Sequence, residues 1–258
     1  MNTSQSCRAE RRPVEPLGVT FPAQIAQTNL VLYQQLHRLG YSGEGLARMR
    51  AGYEIATRLF AGHFRPCGRT FIAHLVGTAS ILATLRAEEP IVVAALLHSA
   101  YEQGDLSFVR WRHRRDYLRQ AVGTAAEDIV WRYNELKWYG DRIATLFDRL
   151  DILSELDRTI VLMRLVNELE DHMNFAHQLS GELAYDHRQN RETFIAMAER
   201  LEQPSLAAAL RQVFAEPEEV AWLAPLRTSH SGSYQLAWPR GSALRRLLRF
   251  VPTHYLPF

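Results

Sequence analysis

Apolar residues recur at three- and four-residue steps from Ile25 onward, the spacing of one buried helix face. Ile25, Leu30, Leu32, Tyr33, Leu36 and Leu39 make the first stripe, and Gly40 is placed to close it as a C-cap. Ser42 reads as the N-cap of a second helix carrying Leu46, Met49, Tyr53, Ile55, Ala56, Leu59 and Phe60, ended by Gly62. A short loop, 63–69, holds Pro66 and Gly68. The stretch 71–86 is strongly apolar, and its run of Gly77, Thr78, Ala79 and Ser80 predicts that another helix packs closely against it. Pro90 suits the first turn of the next helix, IVVAALLHSAY. That helix is apolar on nearly every face and so belongs at the centre of the fold, with His98 and Ser99 as its polar tip.

Further helices are expected at 108–119 and 125–136, then a long one at about 155–180. Ile160, Leu162, Met163, Leu165, Val166 and Leu169 bury its first half. Helices at 192–201 and 205–214 close the domain, and no strand pattern or internal repeat is found. The chain therefore reads as all-α. Residues 1–22, with Pro13, Pro16 and Pro22 among charged and small polar residues, are expected to be a disordered or loosely docked arm. The helical domain then covers 23–216, and composition shifts again near Pro217. The segment 217–258 runs from a loop-like SHSGSYQLAWPRG into a short basic amphipathic stretch, GSALRRLLRFVP. It reads as a C-terminal arm that folds onto the protein's own surface or meets a protein partner. Leu244, Leu247, Leu248 and Phe250 beside Arg245, Arg246 and Arg249 would also suit a membrane surface.

Length and composition narrow the classes. The 258 residues, 47% hydrophobic and 22% charged, fit one large globular domain with appendages. A net charge of +2 is too small for nucleic-acid binding through bulk electrostatics, so no nucleic-acid partner is expected. Lys137 is the only lysine; codon bias explains that simply, and selection of arginine for phosphate contacts could apply only locally. Cys7 and Cys67 form neither a disulfide framework nor a CxxC metal pattern, and Cys67 reads as a structural or incidental thiol. No apolar run is long enough to span a membrane, and the N-terminus lacks the apolar core of a secretory signal, so a cytoplasmic location is the default expectation.

Three polar points interrupt the buried helices: His74, His98, and the NELEDH run holding Asn167, Glu168, Glu170, Asp171 and His172. A lone histidine on an apolar helix is ordinarily a hydrogen-bonded core residue. Two of them in buried helices suggest more, mainly because of a resemblance. The segments FRPCGRTFIAHL, AALLHSAYEQGD, VGTAAEDIVWRYNEL and RLVNELEDHM follow one another between Tyr53 and Met173. In order, spacing and helix type they resemble the G-x-P-Y-I-x-H-P, A-A-L-L-H-D-x-x-E-D, V-x-x-L-V-x-x-x-T and K-L-A-D-R-L-x-N-M motifs of the HD superfamily, in its guanosine-tetraphosphate (alarmone) hydrolase branch. The resemblance implies an orthogonal bundle of helices around a divalent metal, often manganese, held by a histidine, a His-Asp pair and a distant aspartate.

Carried over residue by residue, the resemblance implies that His74 and His98 are the two histidine ligands. Ser99 stands in place of the paired aspartate and Asn167 in place of the distant one. Glu102 matches the first acid of the catalytic pair, and Gln103 replaces the second. Arg65 and Arg164 stand where relatives carry basic residues near the substrate. Asp171 lies one helical turn after Asn167, on the same face, and could supply a carboxylate from a shifted position. A hard divalent ion wants anionic oxygens, which a serine hydroxyl and an amide do not provide. A metal such as manganese, iron or zinc is therefore expected to bind weakly or not at all, and the usual route to a hydroxide nucleophile weakens with it. The basic run VRWRHRRDYLR, with Arg110, Arg112, Arg114, Arg115 and Arg119, reads as a solvated face or as a phosphate-facing rim. No P-loop and no G-x-S-x-G elbow is present.

Three readings follow. The first is a divergent HD-type protein that binds a phosphorylated small molecule or a protein partner in a regulatory or accessory role. The second is an active metal-dependent phosphohydrolase using His74, His98 and Asp171 as ligands and Glu102 as acid/base. The third is a non-catalytic helical interaction module.

Overall fold

The computed structural model describes residues 25–180, 188–216, 221–230 and 232–236. Ten α-helices occur among them: α1 (Asn29–Arg38), α2 (Gly43–Leu59), α3 (Phe71–Thr84), α4 (Glu89–Ala95), α5 (Arg114–Val122), α6 (Thr124–Glu135), α7 (Asp141–Asp148), α8 (Glu155–His172), α9 (Arg191–Arg200) and α10 (Pro204–Phe214). The expected arm at 1–22 and the basic stretch GSALRRLLRFVP lie outside the described residues.

Helix ends follow local chemistry. Gly40 adopts φ +85° just past α1, the left-handed cap position that glycine tolerates best. Ser42 caps α2 by accepting from Gly45 N, Thr70 caps α3 by accepting from Ala73 N, and Ser154 caps α8 by accepting from Asp157 N. At the centre, α3 packs against α1, α4 and α8, while α4 also packs on α2 and α6. Almost every α3 side chain from Phe71 to Ala83 is buried. Ser80, one of its buried polar members, is satisfied on both sides: its Oγ accepts from Ala26 N at 2.8 Å and donates to Gln35 Oε1 at 2.6 Å. Helices α9 and α10 pack together and close over α8.

The differences from the sequence reading have local causes. The central apolar helix is shorter than expected. After Ala95 the chain continues in i→i+3 turns, Leu97 N to Ala94 O and Ala100 N to Leu97 O, so His98 and Ser99 sit in buried turns beyond α4. Helix α5 begins at Arg114 rather than 108, because Phe108 and Trp111 are 58% and 80% exposed and bury no face. Helix α7 was not expected; Ile143 is its one buried residue, with Leu146 and Phe147 partly buried against the core, too little for a readable stripe. The long helix stops at His172, and Asn174, at φ +56°, turns the chain into a 3₁₀ stretch, Met173–Leu179.

A two-stranded ladder corrects the strand-free expectation. Strand β1 (His63–Phe64) pairs antiparallel with β2 (Tyr234–Gln235). Two residues per strand are too few for an alternating pattern to show. The ladder lays the described part of the C-terminal segment against the loop that leads into α3. No helix among the described residues is long and apolar enough to cross a membrane.

Candidate functional site

The site starts with a hairpin. Arg65 N donates to Arg69 O at 2.8 Å and Gly68 N to Arg65 O at 2.9 Å, enclosing Pro66, Cys67 and Gly68. Gly68 takes φ +85°. A three-residue hairpin loop with proline after the first paired residue and a left-handed glycine last is what RPCGR favours. Its consequence is that two arginines flank the loop side by side, just before α3.

Across from the hairpin, α8 brings up Glu170 and Asp171. Glu170 is buried and takes a bidentate pair from Arg69, Nη1 to Oε1 at 2.6 Å and Nη2 to Oε2 at 2.7 Å. His74 Nδ1 donates to Glu170 Oε2 at 2.5 Å. Arg65 Nη2 donates to Asp171 Oδ1 at 2.5 Å, with His74 Nδ1 3.5 Å from the same oxygen. Asn167 Nδ2 donates to Asp171 Oδ2 at 3.1 Å. Although burial opposes its charge, Arg65, His74 and Arg69 hold the Asp171 carboxyl well below the usual carboxylate range. Gly77, one turn after His74, leaves the gap in which Glu170 lies: a β-carbon there would stand 2.5 Å from Glu170 Oε1.

His98 stands beside this cluster, its ring 5.3 Å from that of His74 at 75° and 5.0 Å from that of Tyr133. Its Nδ1 donates to Ala95 O at 2.8 Å, which leaves Nε2 with the lone pair. Burial, then His74, pushes His98 down to about 3, so the ring is neutral at physiological pH. His74 Nε2 is buried without a hydrogen-bond partner. Both imidazoles thus commit Nδ1 to an acceptor, the way a metal-ligating histidine is oriented.

Of the residues singled out from sequence, Arg65, His74, Asn167 and Asp171 meet in one bonded cluster, with His98 next to it; Ser99, which follows His98, is buried. Arg164 lies 3.7 Å over the Tyr133 ring and donates to Tyr133 O, capping the end of α6. Glu102 is exposed on the turn after Ser99, and Gln103 is half-buried, its N–H donating to Ser99 O. Among the described residues no bond joins either to the cluster. Sequence reading missed Glu170, Arg69 and Gly77 as parts of the site. The signals were there: Glu170 follows Asn167 by three positions, Arg69 mirrors Arg65 across the hairpin, and Gly77 follows His74 by three.

His74, Glu170 and Asp171 offer ligand-type atoms within 4.8 Å of one another. A hard divalent ion entering here would compete with bonds these residues already make. All four carboxylate oxygens are engaged: Glu170 by Arg69 and His74, Asp171 by Arg65 and Asn167. Two guanidinium groups already balance the two carboxylates, so an ion would have to displace an arginine.

One neighbouring acid titrates near neutrality. Glu168 faces Trp138, whose Nε1 donates to it at 2.9 Å. Burial raises Glu168 from 4.5 to about 7, against the opposing effect of His172. Between those two values the folded chain keeps a proton that the unfolded chain has released, so stability falls as pH rises through that window. The Glu168→Gln variant is expected to flatten this fall, by up to about 1.4 kcal/mol per pH unit. Urea denaturation at pH 5, 6 and 7 reads it; parallel slopes for variant and wild type would contradict it.

A family model described as "Domain of unknown function (DUF6817)" matches residues 56–137, from the end of α2 through α6. The chain is 27% identical over 137 residues to "Probable GTP diphosphokinase RSH3, chloroplastic" of Arabidopsis thaliana, covering 48% of this chain and 17% of that protein. It is 35% identical over 99 residues to "Probable GTP pyrophosphokinase" of Mycobacterium bovis, covering 38% and 12%. It is 37% identical over 82 residues to "Bifunctional (p)ppGpp synthase/hydrolase RelA" of Mycobacterium tuberculosis, covering 31% and 11%. The matches span at most 17% of the length of these three relatives. A solved structure, described as a metazoan ortholog of SpoT that hydrolyzes ppGpp, aligns over 65% of this chain and 94% of that one, with TM-score 0.47 and 16% identity. Through these sequence matches the chain shows distant homology to the RelA/SpoT proteins.

Proposed function

We propose that this chain is a non-hydrolysing member of the HD-type, ppGpp-hydrolase branch of those proteins, which binds a phosphorylated small molecule in a regulatory or accessory role. The observation that carries the reading is the closed oxygen account of Glu170 and Asp171: arginine, histidine and asparagine donors take every carboxylate oxygen that a metal would need. A phosphorylated ligand needs no such oxygens. It needs guanidinium donors, and the Arg65 side chain, 19% exposed beside the 25% exposed Asp171, is within reach of solvent. A phosphate that bonds Arg65 competes with Asp171 for it. The names of the relatives make ppGpp the first ligand to try.

The second reading is an active phosphohydrolase with His74, His98 and Asp171 as metal ligands and Glu102 as acid/base. The grouping of His74, Glu170 and Asp171 favours it. One set of measurements on the purified full chain separates the two. The non-hydrolytic reading expects no stoichiometric manganese, iron or zinc, no manganese-dependent release of pyrophosphate from ppGpp, and a rise in melting temperature of a few degrees with ppGpp at about 100 times its dissociation constant. Manganese-dependent release that disappears in His98→Ala establishes the hydrolase instead. No hydrolysis and no stabilisation by ppGpp overturns both and leaves the interaction module.

A further inference from the structure

The hairpin that presents Arg65 and Arg69 is held from a distant part of the chain. Thr228, half-buried in an otherwise exposed stretch, makes two bonds. Its backbone N–H donates to Leu179 O at 2.8 Å, in the 3₁₀ turn that follows α8. Its hydroxyl donates to Pro66 O at 2.5 Å, at the corner of the hairpin. The Thr228 methyl also lies 3.8 Å from where a β-carbon on Gly68 would stand. One residue thereby ties the arginine-bearing hairpin to the segment that continues from Glu170 and Asp171.

The contacts around it reinforce the tie. Tyr234 pairs with Phe64 in the ladder and stacks on its ring at 5.4 Å. His230 stacks on Tyr234 in turn, ring centroids 3.6 Å apart. Leu236 N donates to Gly62 O at 3.0 Å. Described residues within 221–230 and 232–236 thus grip the hairpin on both its strand and its corner, and Leu223 among them is buried.

We infer that Thr228 is a positioning residue: its paired bonds to Pro66 and Leu179 fix the hairpin against the end of α8, and so set the geometry of Arg65 and Arg69 at the site. A hairpin of three loop residues is only marginally stable alone, so what pins its corner decides where its flanking side chains stand. The inference about geometry stands on the contacts alone. Its effect on ligand affinity rests on the phosphate-binding reading above.

The test uses the full chain with Thr228→Val, which keeps the shape and removes the hydroxyl, and Thr228→Ser, which keeps it. Amide hydrogen exchange reads the hairpin directly, at Arg65 and Gly68. Thr228→Val is expected to speed exchange there about five- to tenfold, with the interiors of α3 and α8 unchanged, and Thr228→Ser to restore the wild-type rate. Unchanged hairpin exchange in Thr228→Val overturns the inference, whatever ppGpp does. Faster hairpin exchange with unaltered ppGpp affinity upholds it and counts against the phosphate-binding reading alone. If Thr228→Val does not fold, Thr228→Ala, which removes the same hydroxyl with less bulk, gives the same comparison with the same two deciding outcomes.

Discussion

Replacing Arg69 by methionine is expected to destabilise the fold by about 3–5 kcal/mol, the range for removing one partner of a buried ion pair. The Glu170 side chain is 1% exposed and both its oxygens are bonded by Arg69. Methionine fills much of the space but leaves a buried carboxylate with His74 as its remaining bonded neighbour. The size of the effect should therefore depend on the charge left behind more than on lost packing. The double variant Arg69→Met/Glu170→Gln tests this, because the amide oxygen can still accept from His74 Nδ1 while the charge is gone. It is expected to recover about 2 kcal/mol of the loss, read as a shift in urea midpoint at unchanged slope. Excess zinc gives a second readout. If Arg69 is the built-in cation of the cluster, removing it frees Glu170, beside His74, to hold a replacement, worth about 2.7 kcal/mol at 100 times its dissociation constant. Zinc should stabilise Arg69→Met and leave wild type unmoved. Equal response of the two proteins would mean that the arginine does not stand in for an ion.

Much of the fold was legible because the helices are long and one-sided. The stripes in α2, α3 and α6 and the caps at Ser42 and Gly40 follow directly from residue spacing and side-chain chemistry. What escaped was short or tertiary. Helix α7 has one buried residue, and β1 and β2 exist only as partners of each other across about 170 intervening positions. Periodicity carries no information about either. The end of α4 was missed for a related reason: a fully apolar segment looks the same whether its backbone closes i→i+4 or i→i+3 bonds, and here the buried turns after Ala95 use the second.

The site was legible by position and not by bonding. Residue matching brought forward His74, His98, Asn167 and Asp171, and these do stand together or side by side. It gave no account of what neutralises the acids. That depends on which side chains cross between α3, α8 and the hairpin, and Glu170 with Arg69 was hidden as one charge among several in NELEDH and RPCGR. Arg164 shows the converse. Its type suggested a phosphate contact, and in the fold its Nη2 donates to the carbonyls of Tyr133 and Leu136 at the end of α6 while its guanidinium lies over the Tyr133 ring.

Gly77→Ala is the other substitution with a large expected effect, and its sign runs against helix propensity. In an unconstrained helix, alanine in place of glycine stabilises by up to about 1 kcal/mol. Gly52→Ala should do so here, since its β-carbon would meet Val93, Leu96 and Val122 at 3.5–3.6 Å, ordinary contact distance. At Gly77 the β-carbon would stand 2.5 Å from Glu170 Oε1 and 3.0 Å from its Cγ and Cδ. A flexible carboxylate at the surface would swing aside at little penalty. This one is fastened by Arg69 and His74, so moving it breaks charge-assisted bonds in the interior. Gly77→Ala is therefore expected to destabilise by about 2–4 kcal/mol, with Gly52→Ala measured beside it as the internal contrast. The penalty should also shrink when Glu170 is already Gln, because the two changes act on the same bonds. Should Gly77→Ala stabilise the protein as Gly52→Ala does, Glu170 is free to leave its place, and a closed, arginine-balanced cluster is not what occupies the heart of this site.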